Sequence, residues 1–244
     1  MKDKFLNNKL LLILLSAFLM GIAQHPLNLG FLAWFALVPF IYVISEFKKL
    51  KLVLLYSFCW GLLYNIIVVF WLSQNIGTTK IIALLSMIFA VLILSLNTLL
   101  ISSIWFKIKS FKLNNIFFLP FIWVSIEFIR SFGILGFPWI NLANTQLDYF
   151  YLIQNAEYVG IYGISFWIIL INCFLYNIII SENSINSYII FIVLFLFPWV
   201  SGMCLYSQVS DTYIDKYKVS IIQPNINLFD KRDYSKRFIN IDNL

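Results

Sequence analysis

Glu127 and Arg130 stand three residues apart near the end of an apolar run, and their placement demands a chemical reason. A charge inside such a run is expensive, so it must face a partner or a water-filled cavity. The i,i+3 spacing puts both side chains on one helix face. Two chemistries fit. The pair can lock a helix end at headgroup level as an internal ion pair. Alternatively it forms a polar spot on a lipid-binding cavity, with Arg130 offering its guanidinium to a phosphate. Gly136-Phe137-Pro138-Trp139 follows closely: glycine and proline shape a turn, and the aromatics suit the boundary between hydrocarbon and water. Glu127, Arg130, Gly136, Phe137, Pro138 and Trp139 therefore make up the candidate lipid or substrate cleft.

Other reactive side chains read more plainly. His25 beside Pro26 fits an interfacial turn, and Asp148 and Glu157 fit a solvated loop. Trp34 with Pro39, Trp60 with Gly61, and Trp71 read as belt aromatics and helix-packing positions. Cys59, Cys173 and Cys204 lie in or beside apolar segments without CxxC spacing, which suits small packing residues rather than a metal site or disulfide framework. No GxSxG, HExxH, phosphate loop or GxGxxG occurs. No catalytic residue, metal ligand or cofactor is expected within the chain.

The elements that must position these residues follow from composition. Hydrophobic residues are 61% of 244, charged residues 11%, and the mean hydropathy is +0.88. A soluble domain carries about 25% charged residues, so most of this surface must face lipid. Leu52–Leu72, Ile81–Phe106, Ile161–Ile180 and Tyr188–Leu205 each approach the roughly 20 residues that cross a bilayer. Ile116–Ile129 is shorter, broken only by Ser125 and Glu127. Leu10–Ala23 and Leu29–Ile44 flank a proline-containing break at residues 24–28, and fit either two short spans or a hairpin that dips in and returns. Lys2, Lys4 and Lys9 before Leu10–Ala23 also match a signal peptide with a loose cleavage signal at Met20–Ala23; six further apolar runs favour an uncleaved first helix.

The net charge of +6 does not point to nucleic acid, because the basic residues sit in short tracts between apolar runs rather than on one polar face. Nine lysines mark one set of ends: Lys2, Lys4, Lys9, Lys48, Lys49, Lys51, Lys107, Lys109 and Lys112. Only Lys80 and Arg130 mark the opposite set. That asymmetry places the amino terminus in the cytoplasm and, with seven crossings, the tail in the periplasm. The tail from Ser207 is polar and contains one strand-like run, Val219-Ser220-Ile221-Ile222, ending at Gln223-Pro224-Asn225. The expected fold is thus all-α and polytopic, with about seven transmembrane helices over residues 1–205. The start of a different domain follows over 206–244.

The order of these segments resembles the apolipoprotein N-acyltransferases of bacteria. The stretches carrying the resemblance are Pro26–Pro39, Trp60-Gly61 through Trp71-Leu72, and Trp123…Glu127…Arg130…Gly136–Trp139…Gln146. Glu157–Gly160 with Gly163, and Val219–Ile226, complete the set. The resemblance implies a bacterial inner-membrane protein of eight helices, with a periplasmic α/β nitrilase-like domain between the last two. Its Glu–Lys–Cys triad would take an acyl chain from a phospholipid as a thioester and pass it to the diacylglyceryl-cysteine of an apolipoprotein. No position here matches that triad: Glu127 belongs to the membrane part, and Cys204 precedes the first strand.

Two readings result. In the first the chain is a truncated or split N-acyltransferase, inactive alone, with a second polypeptide supplying the catalytic half. In the second it is a non-catalytic scaffold binding lipid or lipoprotein. A transporter fits less well, because neither repeats nor a dense intramembrane polar set is present beyond Asn65, Asn97 and Asn172.

Overall fold

Each apolar run becomes a helix, because only a helix satisfies its own backbone where water is absent. The computed structural model of the chain describes residues 8–24, 26–110, 116–133, 136–180, 185–207, 220, 221 and 223. The helices are α1 (Lys9–Ala23), α2 (Gly30–Glu46), α3 (Leu50–Gln74), α4 (Lys80–Ser110), α5 (Leu119–Arg130), α6 (Ala156–Ile180) and α7 (Ile185–Ser207). Four of them, α3, α4, α6 and α7, are long and apolar enough to cross a membrane. At 1.5 Å per residue α1 and α2 reach only ~22 and ~25 Å, against a hydrocarbon core of about 30 Å.

The described residues contain no strand. Ser220 and Ile221, from the predicted strand, have no regular structure, and Ile221 is 91% exposed. Val219 and Ile222, like His25 and most of the tail, lie outside the described residues. Glu157 is not on a loop: it opens α6, exposed in the first turn. Gly160, at φ +63°, then kinks α6, so its regular span runs from 161.

α2 carries a deliberate break. Leu37 is a turn residue, and Pro39, lacking an N–H, starts the second half. Asn172 of α6 repairs the break: its Oδ1 accepts from the Leu37 N–H at 2.9 Å, and its Nδ2 donates to the Ala33 and Ile168 carbonyls at 2.8 and 2.9 Å. Ser16 of α1 donates to the Ala36 carbonyl and accepts from the Trp60 indole at 2.9 Å.

That last contact decides for the packing reading of Trp60 over the belt one. It is 1% exposed and sits at the centre of the bundle, stacked on Tyr64 at 4.9 Å and packed edge-on to Trp123 at 5.9 Å. Its N–H finds a protein partner in Ser16, so the ring has no need of the interface. Trp34 is likewise buried, whereas Trp71 is exposed. α3 and α4 approach closely beside this core: a Cβ on Gly61 would meet the Thr98 hydroxyl at 2.4 Å.

Candidate functional site

Consecutive helices alternate in direction, so the chain has two ends. Lysines cluster at one: Lys109 bonds the Ser45 carbonyl, and the Lys9 ammonium lies over the Phe47 ring. The opposite end is formed by the close of α1, the turn before α2, the last turns of α3 and α5, and residues 131–149. There Gly133, Gly136 and Pro138 stop the helix. The chain then turns back into the bundle through two short 3-10 helices, Pro138–Ile140 and Leu142–Gln146. Asn141, Thr145 and Gln146 are at most 1% exposed.

Buried non-helical backbone needs partners for its N–H and C=O groups, and polar side chains from three helices, with Gln24 at the end of α1, supply them. Glu127, 1% exposed, accepts the Leu142 N–H on Oε1 at 2.9 Å. Ser165 of α6 accepts the Ala143 N–H at 3.0 Å. Arg130 donates from Nη2 to the Asn141 side chain at 2.5 Å, and its own carbonyl accepts the Phe137 N–H at 3.0 Å. Tyr64 donates to the Ile140 carbonyl at 3.2 Å while accepting from Gln24 at 2.9 Å. Gln146 donates to the Gly30 carbonyl at 2.9 Å. Gly30 permits that approach, since a Cβ there would lie 1.8 Å from the Thr145 carbonyl oxygen. The loop is also tied down at its far end, where the Phe31 N–H donates to the Tyr149 hydroxyl at 2.8 Å.

Glu127 and Arg130 therefore both hold the re-entrant loop rather than closing a direct ion pair, although each feels the other's charge. Four buried atoms in this cluster have no hydrogen-bond partner: Glu127 Oε2, Arg130 Nε, Asn141 Nδ2 and Gln146 Oε1. Ser165 and Trp123 also face the Glu127 carboxylate.

On the other side of the loop lies a cavity of about 630 Å³, within the range of small-molecule sites. Its walls include Leu27, Ile67, Phe70, Trp71, Phe137, Trp139 and Ile140, with the amides of Gln24 and Asn144 as polar points. Phe137 and Trp139 meet edge-to-face at 5.0 Å, and Trp139 remains 64% exposed at the rim. Among the described residues, none of the lining side chains is a thiol, a carboxyl or an amine. This arrangement can bind and orient an amphiphile.

The candidate residues thus divide. Phe137 and Trp139 line the cavity, Gly136 and Pro138 shape the turn that presents them, and Glu127 and Arg130 stand behind. Arg130 instead borders a separate space of only about 20 Å³, beside Tyr64, Asn65 and Asn97. Sequence reasoning did not single out Gln24, Tyr64, Asn141 or Asn144. Gln24 alone left a signal, as a polar residue closing an apolar run. No group of three or more His, Cys, Asp or Glu among the described residues could hold a metal ion.

Residues 16–174 match the family description "Apolipoprotein N-acyltransferase N-terminal domain". Curated relatives agree. The chain is 25% identical over 243 residues to an apolipoprotein N-acyltransferase of Chlorobaculum tepidum, covering 95% of this chain and 44% of that protein. It is 27% identical over 250 residues to apolipoprotein N-acyltransferase 1 of Treponema denticola, covering 92% and 43%. A stretch of 119 residues is 33% identical to the Geobacter metallireducens protein of the same name, covering 44% of this chain and 22% of that one. The chain spans less than half the length of these relatives.

Proposed function

The chain belongs to the apolipoprotein N-acyltransferase family, and from that premise we propose that it is the membrane-embedded, lipid-handling half of such an enzyme. Seven helices cross the bacterial inner membrane with the amino terminus in the cytoplasm. The Lys-poor end, with its cavity, faces the periplasm, and residues 206–244 begin a nitrilase-like domain there. The cavity takes the acyl chains of a phospholipid donor or of the diacylglyceryl group on an apolipoprotein. Phe137 and Trp139 form its aromatic rim, and Glu127 and Arg130 fix the loop that carries them.

The observation that carries this reading is the cavity itself: apolar walls, two amides, and a loop anchored from behind by the only acid–base pair inside α5. Acyl transfer would then use residues beyond these 244, supplied by further polypeptide whether continuous with this chain or separate. None of the three thiols, Cys59, Cys173 and Cys204, lines the cavity. Cys173 is buried and points its hydrogen at the Ile116 carbonyl, and Cys204 lies on the outer part of α7.

The test is complementation. The 244-residue chain is expressed as the only copy in cells depleted of their N-acyltransferase, with and without a polypeptide carrying the nitrilase-like triad. Lipoprotein amino termini are then read by mass spectrometry. Restoration only by the pair supports the proposal, and triacylation by the 244 residues alone refutes the division of labour. A scaffold role is the second reading, favoured by the absence of a thiol, carboxyl or amine among the described residues of the cavity wall. It is supported if neither arm restores triacylation while the chain still retains phospholipid.

A further inference from the structure

Two neighbouring helices, α6 and α7, are each interrupted toward the Lys-poor end, and each interruption has a chemical cause. Gly160 in α6 takes φ +63° and ψ −179°, a combination open essentially to glycine alone. A Cβ there would meet nothing within 4 Å, so the backbone angles rather than crowding call for glycine. Pro198 lies inside α7 and has no N–H to give the Leu194 carbonyl four residues back. The Trp167 indole of α6 donates to that carbonyl at 2.9 Å instead, and its ring stacks on Phe197 at 5.2 Å.

Different partners hold the two sides of each break. On the inner side Trp167, past Gly160 in the chain, fastens the part of α7 before Pro198 to α6. On the outer side α7 is fastened to the turn that precedes α6. Asn155 donates to the Pro198 carbonyl at 2.7 Å and accepts the Ser201 hydroxyl at 2.6 Å. Gly202 lets the chains approach so closely that a Cβ would stand 1.8 Å from the Tyr151 carbonyl oxygen. Trp199 packs edge-on to Tyr149 at 5.3 Å, and Tyr206 to Phe150 and Tyr151 at 5.0 and 5.7 Å. The Tyr149 hydroxyl, accepting the Phe31 N–H at 2.8 Å, ties this outer assembly to the turn before α2. That bond is exposed, so losing it costs less than losing a buried one. Leu147, where the assembly begins, stands in the wall of the 630 Å³ cavity.

We propose that residues 147–160 and 198–207 form one flap, hinged at Gly160 and Pro198 and latched by Tyr149, whose swing moves Leu147 in the cavity wall. Hinges of this kind are a few residues that absorb the change in backbone angle. The inner parts of α6 and α7 need not follow, because Trp167 bonds them to each other. α7 ends at Ser207, inside the flap, so the polar tail and the cavity wall share one moving part. The device does not depend on what the cavity takes.

The experiment follows hydrogen exchange of the full chain in nanodiscs by mass spectrometry. Tyr149→Phe keeps the ring against Trp199 and deletes the latch. It should speed exchange at 147–159 and at 199–207 by one shared factor, roughly two- to tenfold, the effect of one hydrogen bond, and leave 162–197 unchanged. Asn155→Leu cuts the contact between the two outer segments, so in its background Tyr149→Phe should speed 147–159 alone. A second measurement needs no latch variant. Spin labels on Cys204 and on Ile185→Cys, in a Cys59→Ser chain whose Cys173 is buried, report the distance across Pro198. Pro198→Ala returns an N–H to the helix and should narrow that distribution. Acceleration confined to one outer segment, sparing Leu147 or spreading through 185–197 overturns the flap, as does no acceleration at all. So does a distance distribution that Pro198→Ala leaves unchanged.

Discussion

Replacing Glu127 separates two roles that its carboxylate combines. Oε1 is the acceptor for the Leu142 N–H at 2.9 Å, and the charge lies near Arg130 in a side chain 1% exposed. Glu127→Gln keeps an acceptor and removes the charge, so it forfeits the charge-assisted part of one bond, about 1 kcal/mol. Glu127→Ala leaves the Leu142 N–H without a partner and Arg130 without its counter-charge. Stranding a buried donor while removing a nearby compensating charge costs about 2–4 kcal/mol.

The assay is hydrogen exchange of the 136–146 segment with the protein in nanodiscs. At 1.4 kcal/mol per tenfold, Glu127→Ala should speed exchange of the Leu142 amide by roughly thirtyfold to several hundredfold, and Glu127→Gln by roughly fivefold. The lysine-rich end should be unaffected in both. If Glu127→Gln is as damaging as Glu127→Ala, the charge rather than the acceptor holds the loop. If neither changes exchange, the loop does not depend on Glu127 at all.

Three further outcomes follow from the same geometry. Gly30→Ala drives a Cβ into the Thr145 carbonyl and should displace the loop, lowering the thermal midpoint and speeding exchange at residues 142–146; an unchanged midpoint would mean the close approach is not kept. Asn172→Leu removes the side-chain partners of the Leu37 N–H and the Ala33 carbonyl at the break in α2 and should destabilise the bundle by about 1–3 kcal/mol, read as a lower thermal midpoint in detergent; a variant that melts with the parent would refute this. Trp139→Ala, at a residue 64% exposed, should change stability by less than about 0.5 kcal/mol while reducing photocrosslinking of an acyl probe to Phe137; undiminished labelling would remove Trp139 from the cavity rim.

Hydropathy located the helices well, and for a physical reason. In hydrocarbon the backbone must bond within its own segment, so an apolar run and a helix are nearly the same object. Leu52–Leu72 became Leu50–Gln74, and Tyr188–Leu205 became Ile185–Ser207. Expecting α6 to start at Ile161 matched the kink at Gly160. Pairing between segments was not legible. Gln24 meets Tyr64 from 40 residues away and the Asn141 carbonyl from 117 residues away, and nothing in local spacing marks such contacts. Spacing did not choose between the belt and packing readings of Trp60 for the same cause: its Ser16 partner lies on a different helix, 44 residues earlier.

Polar residues inside these helices divide into two groups: some bond their own helix, as Ser95, Thr98 and Ser103 do, and others bond backbone from another segment. Asn172 serves the break in α2, Ser16 the Ala36 carbonyl, and Glu127, Ser165, Tyr64 and Gln146 the loop or the turn it touches. A polar side chain in a bilayer is costly unless partnered, and so is an irregular backbone. Each offsets the other here. The chain can therefore bring a non-helical segment into the bundle and present Phe137 and Trp139 on one side of it while the anchors occupy the other. On this logic the charges in α5 set where the cavity lies, and the apolar residues set what it accepts. Substitutions behind the loop should then alter its occupancy only by moving the loop, whereas substitutions on its front should alter occupancy without moving it.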